Sequence, residues 1–197
     1  MRTWLIAIWL LIPILAGAYH YGPGQEQMKF DDVANHLAEA KSCVADERWE
    51  SAQRAYETAL AALPGDDKSQ ERRIRLELAK ARMMNAGLPQ ANGDLKALLD
   101  EMMEDKGADK QILADTREAL ASTQYYITWL MRLEGLPRAQ WEPEIENARQ
   151  LYRLLAEQSQ ETVSAAATER HSEDLESAIR LARMDVKDLQ GIPLPQQ

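Results

Sequence analysis

The stretch RWESAQRAYETALAALPGDD, residues 48–67, decides how the rest of the chain is interpreted. Small and apolar side chains recur in it at helical spacing, from Trp49 through Tyr56 to Ala59. Pro64 and the glycine after it then end the helix. Such a helix is only half apolar, so it needs a neighbour to cover its apolar face.

A preceding helix supplies this neighbour. Apolar side chains repeat at helical spacing from Phe30 through Leu37 to Val44, and only the three residues DER, 46–48, separate the two segments. So short a connection predicts an antiparallel hairpin. Residues that can cap a third helix follow the hairpin directly: Asp66, Asp67 and Ser69.

The composition of the whole chain is typical of a helical protein. The 197 residues suffice for one domain with a core, and they are dominated by good helix formers such as alanine, leucine and glutamate. The net charge is −9, from 23 basic and 32 acidic side chains, which works against binding nucleic acid. We therefore expect an all-α protein with no nucleic-acid partner.

The first 18 residues differ from the rest of the chain. They contain one arginine, a long apolar run and the small residues Ala16 and Ala18. This pattern fits a signal peptide cut after Ala18. It also fits an uncut anchor, since residues 4–19 would form a helix of about 24 Å, slightly short for a bilayer core. Both alternatives predict an exported protein in the periplasm or cell envelope, and only the uncut segment would contact the membrane.

The spacing of the small residues resembles that of a known family. Ala40, Ala52, Ala59 and Pro64 follow one another at intervals of 12, 7 and 5 residues, and Tyr56 stands between the two later alanines. The pattern resembles the tetratricopeptide repeat (TPR), in which small residues let two helices approach closely and a proline ends the unit. The resemblance implies helical hairpins stacked as a short solenoid.

Further copies of the pattern follow. The spacing recurs 39 residues later, at Ala79, Ala91, Leu95 and Leu98. Since the family period is about 34, we expect an extra turn of about five residues within GDDKS, residues 65–69. In addition, MMNAGLPQA (83–91) and MRLEGLPRA (131–139) agree at five of nine positions, which predicts that one type of turn is used twice.

These patterns predict the organisation of the chain. Residues 19–28 are expected to be a turn-rich spacer, and 29–160 to hold about three TPR-like hairpins. The third hairpin is degenerate, with helices over about 110–134 and from Pro143, a favourable first helical position.

The C-terminal part should close the array. Residues 161–190 combine a polar stretch with a capping helix from about 173 to 189, which would cover the open end of the solenoid. Residues 191–197, GIPLPQQ, are expected to form an extended tail.

The resemblance also implies where a ligand would bind. The inner wall of such a solenoid is lined mostly by the first helix of each hairpin and suits an extended peptide. The implied groove contacts are Leu37, Lys41, Val44, Arg73, Leu76, Lys80, Met83 and Met84. Their three cations would suit an acidic or C-terminal peptide, and their methionines would make adaptable apolar contacts. The alternative is that these are ordinary surface cations and core side chains.

No sequence pattern predicts catalysis, a cofactor or a metal site. The three histidines are far apart, no phosphate-binding loop or nucleophile elbow is legible, and Cys43 lacks an identifiable histidine partner. We therefore expect an interaction scaffold that binds a protein or peptide, and not an enzyme. Two alternatives stay open: a structural subunit of an envelope complex, and an enzyme with an unrecognised site.

Overall fold

The described residues, 23–65, 67–161 and 165–189 together with positions 9 and 12, form helices and their connections in this computed structural model. No strand occurs among them, which confirms the all-α prediction. The helices are α1 (Pro23–Ala45), α2 (Trp49–Ala62), α3 (Lys68–Met84), α4 (Leu88–Glu104), α5 (Lys110–Leu133), α6 (Arg138–Glu161), α7 (Ala165–Arg183) and α8 (Val186–Leu189).

Two predicted terminal segments fall outside the described residues. The signal peptide or anchor over 1–18 does so apart from positions 9 and 12, and the tail over 191–197 does so entirely. No helix of the described part combines the length and apolar character of a membrane span.

The chain divides into two compact units, residues 1–74 and 75–197, with the boundary inside α3. In the first unit, α1 packs against α2, as expected for the predicted hairpin. Ala40, Ala52 and Ala59 are completely buried there. The small residues are therefore the packing face of the hairpin, where the absence of large side chains lets the two helices approach closely.

In the second unit, α4 packs against α5, α5 against α6, and α6 against α7. Helix α3 is joined to α4 by two ion pairs, Arg75 with Glu101 at 2.6 Å and Arg82 with Asp94. The four residues placed 39 positions after the first repeat are all buried, with at most 1% of their surface exposed: Ala79, Ala91, Leu95 and Leu98. The second copy thus uses the same positions for packing as the first.

Three helices end with the same hydrogen-bonding pattern. Glu47, Ala86 and Gly135 have left-handed backbone angles, with φ of 55°, 57° and 74°. After each, the next amide donates to a carbonyl five residues earlier, at 2.8–2.9 Å, which is the Schellman pattern. The similar segments 83–91 and 131–139 thus end a helix with the same pattern, but their connections differ in length, with non-helical residues 85–87 in one and 134–137 in the other. The left-handed residue is displaced by one position between them, since Ala86 aligns with the residue before Gly135.

The start of two helices differs from the prediction. Helix α1 begins at Pro23, within the expected spacer, because proline is accepted where no helical amide partner is needed. Helix α6 begins at Arg138, five residues before Pro143. Its first turns are held by Trp141, whose ring lies 4.7 Å from the guanidinium of Arg132 on α5. Pro143 therefore costs one hydrogen bond inside the helix instead of starting it.

The C-terminal region also differs from the single helix expected over about 173–189. Helix α7 begins earlier, at Ala165, within an alanine run that favours helix. It ends at Arg183, where Arg132 of α5 donates to the carbonyl oxygens of Leu181 and Met184. Because these carbonyls have no helical partner, the arginine satisfies them and ends α7 there. Helix α8 then brings Leu189, 1% exposed, back into the core.

Candidate ligand groove

The second unit contains a groove of about 520 Å³, lined by side chains of α3, α5, α6 and α7. We call it the tyrosine groove. Helix α5 contributes half of the lining residues. They share one helix face, because neighbouring members are one, three or four positions apart: Asp115, Glu118, Ala119, Ser122, Tyr125 and Tyr126. The other helices complete it with Lys80, Met83, Tyr152, Arg170, Asp174 and Ser177.

Two of the sequence-predicted contacts lie in this groove. Lys80 and Met83 line it from α3. The Met83 sulfur lies 2.9 Å from the Thr123 hydroxyl, which ties α3 to α5. Leu76, in contrast, is 2% exposed and belongs to the hydrophobic core, so it is not a groove contact. Met84 is exposed but does not line the groove.

The other predicted contacts belong to the first unit. Lys41 and Arg73 are exposed, and Leu37 and Val44 are half-buried. Of the predicted set, Lys80 and Met83 are the two residues that line the tyrosine groove of the second unit.

Three tyrosines give the groove its aromatic character. Tyr125 and Tyr126 form an edge-to-face pair with ring centroids 5.9 Å apart. Tyr152 lies deeper, is 5% exposed and hydrogen-bonds through its hydroxyl to Ser122. Burial raises the pKa of the Tyr152 phenol far above its usual range, and the nearby carboxylates Asp174 and Glu118 add to the effect. The phenol is therefore neutral at any physiological pH.

Acidic groups outnumber basic ones in the tyrosine groove. Asp115, Glu118 and Asp174 line it, against two cations, Lys80 and Arg170. Burial raises the pKa of Asp174, and the charge of Glu118 raises it further. This balance is opposite to the cationic wall that we expected to receive an acidic peptide.

The sequence reasoning missed the residues contributed by α5, α6 and α7. A signal was present in α5, where carboxylates and tyrosines recur on one helix face together with small residues. That face alone does not define a site, because the opposite wall comes from residues more than 25 positions away in the chain.

A second groove of about 410 Å³ lies between α4, α5 and α6, and apolar residues form half of its lining. Its lining includes the exposed apolar side chains Met103 and Leu154, which are 64% and 39% exposed, beside the nearly buried Leu99 and Leu151. We call it the apolar groove.

Neither groove offers a recognisable metal centre. Within the part of the chain that the structure describes, no three His, Cys, Asp or Glu side chains are grouped so as to hold a metal ion. Comparison of the sequence with protein-family models and with curated proteins finds no match.

Proposed function

We propose that this chain is an exported or membrane-anchored interaction scaffold of TPR type, which binds a peptide or a partner subunit in the cell envelope. The observation that carries the proposal is the tyrosine groove. Its walls are helices packed on a common core, so the binding surface is held in shape before a ligand arrives. Support for the repeat class comes from the TPR-like spacing, and support for export comes from the composition of residues 1–18.

The lining chemistry of the groove fits a protein ligand. Tyrosine offers a large contact area at a low cost in conformational entropy, and its hydroxyl can bond to a peptide backbone. Charged side chains at the same groove would select among ligands by their charge. An extended peptide would use both kinds of contact.

A pair of neighbouring substitutions tests the proposal. Ser177 lines the groove from α7 and is half-buried, whereas Glu176 beside it is exposed and makes a surface ion pair with Arg180. We expect Ser177→Trp to fill the groove and Glu176→Trp to leave it open. The measurement is affinity capture from the envelope fraction with both variants and the wild type, after circular dichroism has verified their folding.

The expected result is a partner that Ser177→Trp loses and Glu176→Trp retains. Equal capture by all three proteins would reject the tyrosine groove as the binding site. The mass of the mature protein, measured in the same preparation, decides between a cleaved signal peptide and an uncut anchor.

The apolar groove favours a second candidate function, a structural subunit packed permanently against a larger protein. Exposed side chains such as Met103 and Leu154 are what a permanent interface would cover. This candidate predicts that purified protein self-associates and that Met103→Gln with Leu154→Gln reduces the association. Sedimentation velocity measures the outcome, and a monomer at all concentrations in the wild type would contradict it.

A further inference from the structure

Nearby cations do little to neutralise the negative charge of the carboxylates that line the tyrosine groove. Among the described residues, no lysine or arginine forms an ion pair with Asp115, Glu118 or Asp174. Lys80 is engaged with Glu77, at 3.0 Å. Excess negative charge in a partly closed site is costly until a ligand neutralises it.

The surroundings of Glu118 and Asp174 point to the same conclusion. A carboxylate oxygen of Glu118 lies 3.7 Å from Nε2 of His171. Both His171 and Arg170 act electrostatically on Asp174 and lower its pKa. These basic groups lower the pKa of Asp174 less than burial and Glu118 raise it. Burial and a second carboxylate thus outweigh the basic groups that act on Asp174.

Tyr152 lies near both of these carboxylates. Its phenol interacts electrostatically with Glu118 on α5 and with Asp174 on α7. Helices α5 and α7 thus each place a carboxylate near the phenol of Tyr152. Tyr125 and Tyr126 also line the groove. Aromatic faces attract cations, and carboxylates bind guanidinium or ammonium groups strongly.

We infer that the tyrosine groove binds an arginine or lysine side chain of a basic peptide segment in the partner protein. The inference rests on the proposed function, because it specifies the ligand of the same groove. The cationic group lies between Glu118 and Asp174 and packs on the tyrosine rings. The rest of the peptide follows the groove, and its positive charge is also favoured by the net charge of −9 on the whole chain.

Matched peptides test the inference on the full-length protein. The probes are three fluorescein-labelled nonapeptides of alanine and glycine, which carry three arginines, three citrullines or three glutamates at the same positions. Citrulline keeps the shape of arginine without its charge. We expect the arginine peptide to bind at least tenfold more tightly than the citrulline peptide, as measured by fluorescence anisotropy.

Charge-neutral variants locate the binding. Glu118→Gln with Asp174→Asn is expected to weaken the arginine peptide at least tenfold. The control is Glu104→Gln with Glu134→Gln, which removes the same charge from exposed positions of the second unit and is expected to change binding less than twofold. Glu118→Gln alone is tested as well, so that the result does not depend on the double variant folding.

Several results would overturn the inference. One is equal binding of the arginine and citrulline peptides, or no binding of either. Another is equal weakening by the groove pair and the control pair, which would mean that only the overall charge matters. If the glutamate peptide binds instead and Ser177→Trp abolishes that binding, the inference fails while the proposed function stands. If Ser177→Trp retains the partner in the capture experiment, both the inference and the proposed function fail.

Discussion

Ala86 occupies a backbone conformation that its side chain disfavours. Its φ is 57°, at the left-handed position where α3 ends, while Gly87 directly after it has an ordinary φ of −95°. Glycine has no Cβ and adopts left-handed angles without the steric cost that alanine has. The glycine at the end of α3 thus stands one position after the left-handed residue, where a glycine would be most stabilising.

We therefore expect Ala86→Gly to raise the free energy of unfolding by about 0.5–1 kcal/mol. Gly87→Ala should lower it, because the added Cβ would lie 2.9 Å from the carbonyl oxygen of Arg82. Urea denaturation of both variants measures the difference. A loss of stability in Ala86→Gly would contradict this reading of the turn.

The raised pKa of Asp174 predicts how stability depends on pH. A carboxyl whose pKa is higher in the folded than in the unfolded protein favours folding while it is protonated. Its contribution is fully present below the unfolded value, near 3.8, and is lost as the pH rises through the higher folded value. Because burial is the main cause, the ionised group remains a cost at neutral pH.

We accordingly expect Asp174→Asn to be more stable than the wild type at pH 7 and to lose this advantage at acidic pH. Thermal denaturation at a series of pH values measures the effect. Glu173→Gln on the same helix is the control, since Glu173 is exposed and should change little. An advantage of Asp174→Asn that is the same at every pH would rule out ionisation as the cause.

Helices α5, α6 and α7 are held together through one buried arginine. Arg132 on α5 is 5% exposed, donates to the carbonyls of Leu181 and Met184 on and just after α7, and stacks on Trp141 of α6. Burial lowers the pKa of its guanidinium, although the group stays charged. Its loss would leave buried carbonyls without a donor, which is costly.

Arg132→Met should therefore lower the free energy of unfolding by about 2 kcal/mol or more. Arg138→Met is the matched control, since Arg138 also approaches Trp141, at 6.0 Å, but is exposed and pairs with Glu142 on its own helix. Because that pair is exposed to solvent, it should contribute little to stability. Equal effects of the two substitutions would show that the carbonyl contacts do not matter.

The hairpin of α1 and α2 depends on small residues. Ala52 is completely buried on α2, whereas Ala61 on the same helix is exposed. We expect Ala52→Leu to cost about 1–3 kcal/mol, because the added atoms separate the two helices. Ala61→Leu should be close to neutral. Chemical denaturation compares the two, and a neutral Ala52→Leu would mean that the helices are not closely packed there.

Across the whole molecule, local sequence signals predicted local structure well. Composition predicted the all-α class, and the long helix expected over about 110–134 is observed as Lys110–Leu133. Asp67 caps α3 through a 2.9 Å bond to the amide of Gln70, as a short polar side chain before a helix should. Cys43 is buried as well, three residues after the completely buried Ala40 on the same helix.

Predictions that depended on distant contacts were less successful. The end of α7 is fixed by Arg132, about 50 residues earlier, and nothing in the local sequence of α7 indicates such a contact. Likewise, the beginning of α6 at Arg138 depends on Trp141 meeting that same arginine. Helix boundaries moved wherever a side chain of another helix satisfied or shielded the terminal groups.

The candidate site shows the same division. The TPR resemblance implied contacts at Lys80 and Met83, and both side chains line the tyrosine groove from α3. It could not pair this face of α3 with Tyr152 on α6 or Asp174 on α7. The charge of the groove is the sum over residues that only packing brings together. The groove is therefore acidic, whereas Lys41, Arg73 and Lys80 had indicated a basic wall. Helical periodicity can be detected in the sequence of a single helix. The tyrosine groove, in contrast, is formed by side chains of four helices that only tertiary packing brings together.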